Sequence, residues 1–497
     1  MTAEPRRTPR EIRAELGHPV VDVDGHVLEF MPAAMPYVRE SLGEELYDQY
    51  TALRSPLKSS MSVSDVATRR DTRHPQLGWW ASPVNNPKDI ATSIFPSLLH
   101  ERVEELGIDL MVLFATNTMG SGGIGNEDLR RGVCRGFNEF FANTYGPYRD
   151  RLLVAGMIPM VTPEEAIAEL EHCHDIGLKV VTIPHCVMRP IKNPQPGSPF
   201  LWPNQTHWLD YFGFESEYDY DPVWAKFKEL GFAVCAHGGV GAPPPDFYSA
   251  VTSWMYNHIG SFAAMMYPLC KSLFLGGVTK RFPDVNFAFM ECGVAWASSL
   301  LADTVEHWER RNITALWETY DPSKLDRAAL VELAKQYGQG LIPEGLSDDE
   351  LSTMLGSVLL TGMPPDDPDE FSALGIEDEE ELRDLFVNTF YFGCESDDRT
   401  AAFAYSDANA FGAHLKPMFS SDISHFDVPE MSKVMPSAHS LLRDGLMTEA
   451  QFRDFMFGNA VRLHGGPNPD FFKGTAIEKE AGEVLAAAAL TGATSGS

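Results

Sequence analysis

The sequence predicts a (β/α)8 TIM-like barrel with large insertions. Two observations carry this. Eight short apolar runs alternate with helical patterns, and nearly every run closes on a side chain able to bind a metal.

The first run is PVVDVDG (19–25), ending in Asp24 and His26. The second, IDLMVLFAT (108–116), precedes the helical stretch 126–146. The third, RLLVAGMIPM (151–160), leads into TPEEAIAELEHCHDIG (162–177), where Thr162 and Pro163 start a helix and Gly177 stops it. LKVVTIP (178–184) is the fourth, closing at His185. The fifth, FAVCAHGG (232–239), follows a helix at 221–231 and ends in His237. A long apolar helix around 248–276, carrying His258, precedes the sixth, VNFAFMECG (285–293), which ends in Glu291. LFVNTFYFGCE (385–395) ends in Glu395, and KPMFSSDIS (416–424) in Asp422, with His425 just beyond and a helical pair at about 436–463.

A minimal barrel needs ~250 residues, and the chain has 497. The expected division is an N-terminal extension (1–18), one barrel (19–465) with insertions at about 31–100, 185–220 and 305–383, and a tail (466–497) read as a frayed helix with a disordered end. The acidity of 345–384 reads as solvated surface.

Hydrophobic residues make up 44% of the chain and charged ones 22%, enough to bury a large core. A net charge of −31 excludes nucleic-acid and anionic-membrane partners. The 7 cysteines form no C-x-x-C pair, which fits a reducing cytoplasm, and no apolar run is long enough to span a bilayer. The expected partners are a small-molecule substrate and a second copy in a homodimer.

Asp24 and His26, two apart on an extended chain, point the same way. Barrel strand ends converge on one axis, so Asp24, His26, His237, Asp422, Glu291 and Glu29 are the candidate ligands. The expected cofactor is a divalent metal ion (Zn, Fe or Mn), one or two per chain. Asp422, Glu291, His258, His185 and His425 are candidates for proton transfer. Trp79, Trp80, Trp254, Trp296 and Trp308 are candidates for an apolar substrate wall, with core packing as the commoner fate. Arg281, Arg310 and Arg311 are candidates for holding a substrate carboxylate, with surface charge as the default.

VDVDGHVLE (21–29), DRLLVAGMIPMVTPEEAIAEL (150–170), GLKVVTIP (177–184), AHGG (236–239), RFPDVNFAFMECGVAW (281–296), SSDISHFD (420–427) and FGNAVRLHG (457–465), in this order and spacing, resemble the amidohydrolase superfamily. The resemblance is to the branch containing aminocarboxymuconate-semialdehyde decarboxylase, related aromatic-acid decarboxylases and C–C hydrolases. It implies metal ligands at His26, His237 and Asp422. It also places Asp24 where H-x-H is usual, and Glu291 where a histidine commonly stands. Three functions follow as expectations. The first is metal-dependent hydrolysis or non-oxidative decarboxylation of a carboxylated or carbonyl-bearing cyclic molecule. The second is a nonheme di-iron monooxygenase on the same fold. The third is a non-catalytic binding protein that keeps the barrel.

Overall fold

The computed structural model describes residues 7–63, 65–76, 85–192, 205–238, 250–358 and 367–495. Strands are numbered along the chain: β1 Val21–Val27, β2 Leu110–Ala115, β3 Leu152–Met157, β4 Val180–Pro184, β5 Val187–Pro190, β6 His207–Asp210, β7 Val234–His237, β8 Phe287–Phe289, β9 Phe390–Glu395 and β10 Pro417–Ser420. Eight of them form one parallel sheet in the order β1-β2-β3-β4-β7-β8-β9-β10, while β5 and β6 make an antiparallel ribbon apart from it. Asp422 N–H donates to the Asp24 carbonyl (2.9 Å) and His26 N–H to the Ile423 carbonyl (3.1 Å), closing the sheet on itself. The (β/α)8 barrel is therefore observed.

Alternation divides the strand residues into two apolar layers. Val21, Val23, Val112, Phe114, Ala155, Cys235, Ala288 and Met418 fill one. Val27, Leu113, Val154, Ile183, Ala236, Phe289 and Phe392 face the other, packed on the helices. In β1 the parity changes. A register shift between Asp22 and Gly25 separates the Val21/Val23 phase from the Val27 phase, leaving Asp24 and His26 to face the axis. Gly25 suits this bulge, because a Cβ there would press on Asp22 Oδ2 at 3.0 Å and Leu113 at 3.2 Å, so the neighbours would have to give. The Asp22 carboxylate bolts the seam by accepting from the N–H (2.9 Å) and Oγ–H (2.5 Å) of Ser421.

Thr162 caps the helix Pro163–Asp175 as its sequence predicts. Three expectations need correction. The apolar helix at 248–276 is two helices, Trp254–His258 and Ser261–Leu275, because Gly260 adopts φ +78. The seventh run is strand only from Phe390. Residues 385–389 belong to the helix Glu379–Thr389, which Asp378 caps and three glutamates begin. The tail is not frayed at its start: helix Glu478–Ser495 follows Ile477, and it buries Ala481 and Val484 against the barrel floor formed with Phe457, Val461, Phe471 and Phe472. No helix among the described residues is long and apolar enough to cross a membrane.

Candidate metal centre

The strand ends bring two overlapping sets of ligand atoms together, each within 4.8 Å: Asp24, His26, His237 and Glu291, and then His26, Glu291, Asp422 and His425. All six residues are buried. His237 Nε2 lies 3.3 Å from Asp24 Oδ1 and 3.4 Å from Glu291 Oε2. His26 Nε2 lies 3.5 Å from Asp24 Oδ1, 3.4 Å from Asp422 Oδ1 and 4.0 Å from Glu291 Oε2. A first-row divalent ion with bonds of about 2.0–2.2 Å spaces neighbouring ligands by roughly 3.0–3.5 Å, so most of these separations are those of a coordination polyhedron's edges.

The contacts of His26 are not ion pairs. Burial, then His425 and His237, push its pKa well below the ordinary imidazole value, so the ring is neutral. Burial, then Asp24, Glu395 and Asp427, drive Glu291 well above the usual carboxylate range. Burial, then Glu291, do the same to Asp422. His425, with Nδ1 2.6 Å from Asp422 Oδ1 and its ring stacked 3.6 Å from that of His26, is held down to about 3 by burial and then by His237 and His258. Among the described residues, both carboxylate oxygens of Asp24 and of Glu291, and Nε2 of His26 and of His237, find no hydrogen-bond donor or acceptor. Buried polar atoms without partners cost about 1–3 kcal/mol each, more when charged. A divalent cation satisfies all of them at once, opposes the upward shifts of Glu291 and Asp422, and favours the neutral imidazoles. The donor set therefore fits such an ion, with oxygen and imidazole ligands and no thiolate. The other nitrogen of His237, Nδ1, lies 2.7 Å from the Gly238 carbonyl, so it carries the hydrogen and leaves Nε2 free to ligate.

Two of these side chains sit on strained backbone. Glu291 has φ 53 and Asp422 φ 49, and Ser424 beside it has φ 81. Left-handed non-glycine residues cost about 1–3 kcal/mol and persist where surrounding structure imposes them. Here strands β8 and β10 stop and the chain turns sharply, tipping both carboxylates toward the axis.

Not every predicted residue joins the centre. Glu29 does not: its Oε2 accepts from the backbone (2.9 Å) and side-chain (3.0 Å) N–H of Asn117, and its Oε1 from the N–H (3.0 Å) and hydroxyl (2.5 Å) of Thr118. It caps the loop after β2 instead of ligating. His185 is buried directly after β4 but enters neither ligand set. His258 is not a core histidine of a long helix. It ends a short one, half-buried, with Trp254 (4.7 Å) and Phe262 (5.2 Å) against its ring. Arg281 is tied to Asp221, Arg310 to Glu306 and Arg311 to Glu370, and none of the three lines the cleft beside the centre. Trp79 and Trp80 lie outside the described residues, and Trp308 lines a groove elsewhere.

A cleft of about 370 Å³ opens onto Glu291 and is lined by His258, Phe262, Trp296, Glu395 and Asp398. Asp427, which sequence reasoning passed over, joins Glu395 and Asp422 in a third group of convergent carboxylates. Its only signal was its place five residues after Asp422 in SSDISHFD.

The family model described as amidohydrolase matches residues 98–340. The matched stretch holds His237 and Glu291, while Asp24, His26 and Asp422 come to them through the barrel's closure. Solved structures similar to this chain include an amidohydrolase from Mycobacterium avium subsp. paratuberculosis (15% identity, 90% of this chain and 100% of that one, TM-score 0.49). Others are a dihydroxybenzoic acid decarboxylase from a Polaromonas species, with bound manganese and 2-nitroresorcinol (14%, 90% and 97%, 0.48), and a 5-carboxyvanillate decarboxylase from Sphingomonas paucimobilis (14%, 90% and 98%, 0.45). No curated protein matches the chain.

Proposed function

We propose that the protein is a metal-dependent enzyme that hydrolyses, or decarboxylates without oxidation, a cyclic small molecule bearing a carbonyl or carboxyl group. The observation that carries this reading is the convergence of Asp24, His26, His237 and Glu291, buried and unpartnered, at one mouth of the barrel. With Asp422 they would hold the ion. When bound, a divalent metal supplies Lewis acidity toward a carbonyl and lowers the pKa of a ligated water. The protein's own groups supply position and proton transfer. Asp422 and His425, 2.6 Å apart, form a carboxyl–imidazole pair beside the reacting centre. Glu395, raised to about 8 by burial and then by Asp427, is a nearby carboxyl able to hold a proton at neutral pH. The aromatic wall excludes water and stacks on a ring.

A second reading, a di-iron monooxygenase, draws support from the second ligand set, which shares His26 and Glu291 with the first and adds Asp422 and His425. Metal analysis of protein purified without chelator, followed by turnover with and without oxygen, separates the two. One ion per chain and oxygen-independent release of carbon dioxide or a hydrolysis product supports the first. Two irons per chain and stoichiometric oxygen uptake replaces it with the second.

A further inference from the structure

The charge of the cleft leading to the centre narrows the substrate class, an inference that rests on the reading of this site as a metal-dependent enzyme. Six carboxyl groups belong to the ligand sets or to the cleft beside them: Asp24, Glu291, Asp422, Glu395, Asp427 and Asp398. Even with a proton on Glu395 five charges remain, of which one divalent ion balances two and a pair of ions four, so the mouth stays anionic under either metal loading. Glu291 is buried, lines the cleft and has neither oxygen hydrogen-bonded among the described residues.

No lysine or arginine lines the cleft among the described residues. The stretches 77–84, 193–204 and 239–249 contain neither residue type in their sequence. Arg281, Arg310 and Arg311, the sequence's candidates for holding a carboxylate, are paired with Asp221, Glu306 and Glu370 and do not line the cleft. Phe262 and Trp296 line the same cleft as Glu395 and Asp398. Carboxylates and aromatic rings sharing one cleft attract a cation by Coulomb and cation–π terms together, and repel an anion.

We propose that the site selects a cyclic substrate that sends its carbonyl or carboxyl end to the metal and carries a cationic outer end, an ammonium or amidinium, against Glu395 and Asp398. A dicarboxylate of the same shape is rejected.

The test is a matched pair of probes with one carboxylate in common: 4-(aminomethyl)benzoate and terephthalate. Their binding to manganese-loaded full-length protein is measured by calorimetry at low ionic strength. The ammonium probe is expected to bind at least ~10-fold more tightly. In E395Q and D398N the ratio is expected to fall toward one, with manganese content unchanged, and added salt is expected to shrink it in the native protein. Equal or tighter binding of terephthalate by the native protein, or binding of neither probe, overturns the proposal. Manganese stoichiometry, read on the same samples, reports on the metal-enzyme reading separately. Protein that holds manganese yet prefers terephthalate loses the substrate class and keeps the metal centre.

Discussion

The two ends of the barrel both bury histidine, and they do so with opposite consequences. At the floor, His464 is fully enclosed, stacked on Phe471 (4.5 Å, 8° between planes), and burial alone drops its pKa to about 3. At the mouth, His425 is held at about the same value. A depressed imidazole pKa therefore does not mark function. What separates the ends is company. His464 stacks on Phe471 of the apolar floor cluster that also holds Phe457, Val461 and Phe472, and among the described residues it enters no group of convergent ligands. The mouth gathers two to three carboxylates around each ring and places Glu291 and Asp422 on left-handed backbone to do so. The floor is a place where burial stabilises the fold. At the mouth, burial costs stability that only a bound cation returns.

Substitutions should break this contrast in opposite directions. His237→Ala at the mouth is expected to lower metal affinity by at least ~100-fold, since it removes a ligand and not merely its support. Turnover should be lost in step while the metal-free fold survives, checked by metal titration and circular dichroism. His464→Ala at the floor is expected to cost about 2–4 kcal/mol of stability through the cavity left beside Phe471, with metal stoichiometry unchanged in denaturant-free protein. If His464→Ala instead lost metal, the floor and mouth would not be independent.

The pH dependence sharpens the same comparison. Unfolded, His464 takes up a proton near 6.5; folded, it resists until about 3. Between those values the unfolded chain binds more protons, so stability is full above 6.5 and falls as the pH drops below it. His464→Phe removes this contribution. Relative to the native protein it should gain about 1–2 kcal/mol between pH 7 and pH 5, read from urea midpoints at the two values.

Glu29→Gln should have the smallest effect. It weakens the cap on Asn117 and Thr118 by about 1 kcal/mol and leaves metal content as it was. Loss of metal in that variant would restore Glu29 to the ligand set.

The sequence made the eight runs and their terminal donors visible because strand periodicity and strand-end chemistry are both local. Asp24, His26, His237, Glu291 and Asp422 could be named from position alone, without knowledge of how the barrel closes. The rest depended on contacts between distant segments. Glu29 stands one turn past His26 like a ligand, but the loop after β2 supplies four donors that capture it, and the donors lie 88–89 residues away. Asp427 enters only because the chain reverses at Asp422 and Ser424. The break at Gly260 ends the short helix that carries His258 and leaves that residue lining the cleft, where one long apolar helix was expected, since a glycine in an apolar run gives no sign of its φ. The parity change in β1 is invisible in VVDVDGHV, where a regular alternation would put Val21, Val23 and Gly25 on one face and Asp24 and His26 on the other.

Metal binding should divide the mouth of the barrel from its floor. Chelator-stripped protein, titrated with Mn2+, Zn2+ and Fe2+ while melting temperature and bound-metal stoichiometry are recorded, tests it most directly. The account predicts that at least one of these ions binds at one or two per chain and raises the melting temperature, and that both responses vanish in His237→Ala but persist in His464→Phe. An unchanged melting temperature with no bound ion, or identical binding by His237→Ala, would contradict it.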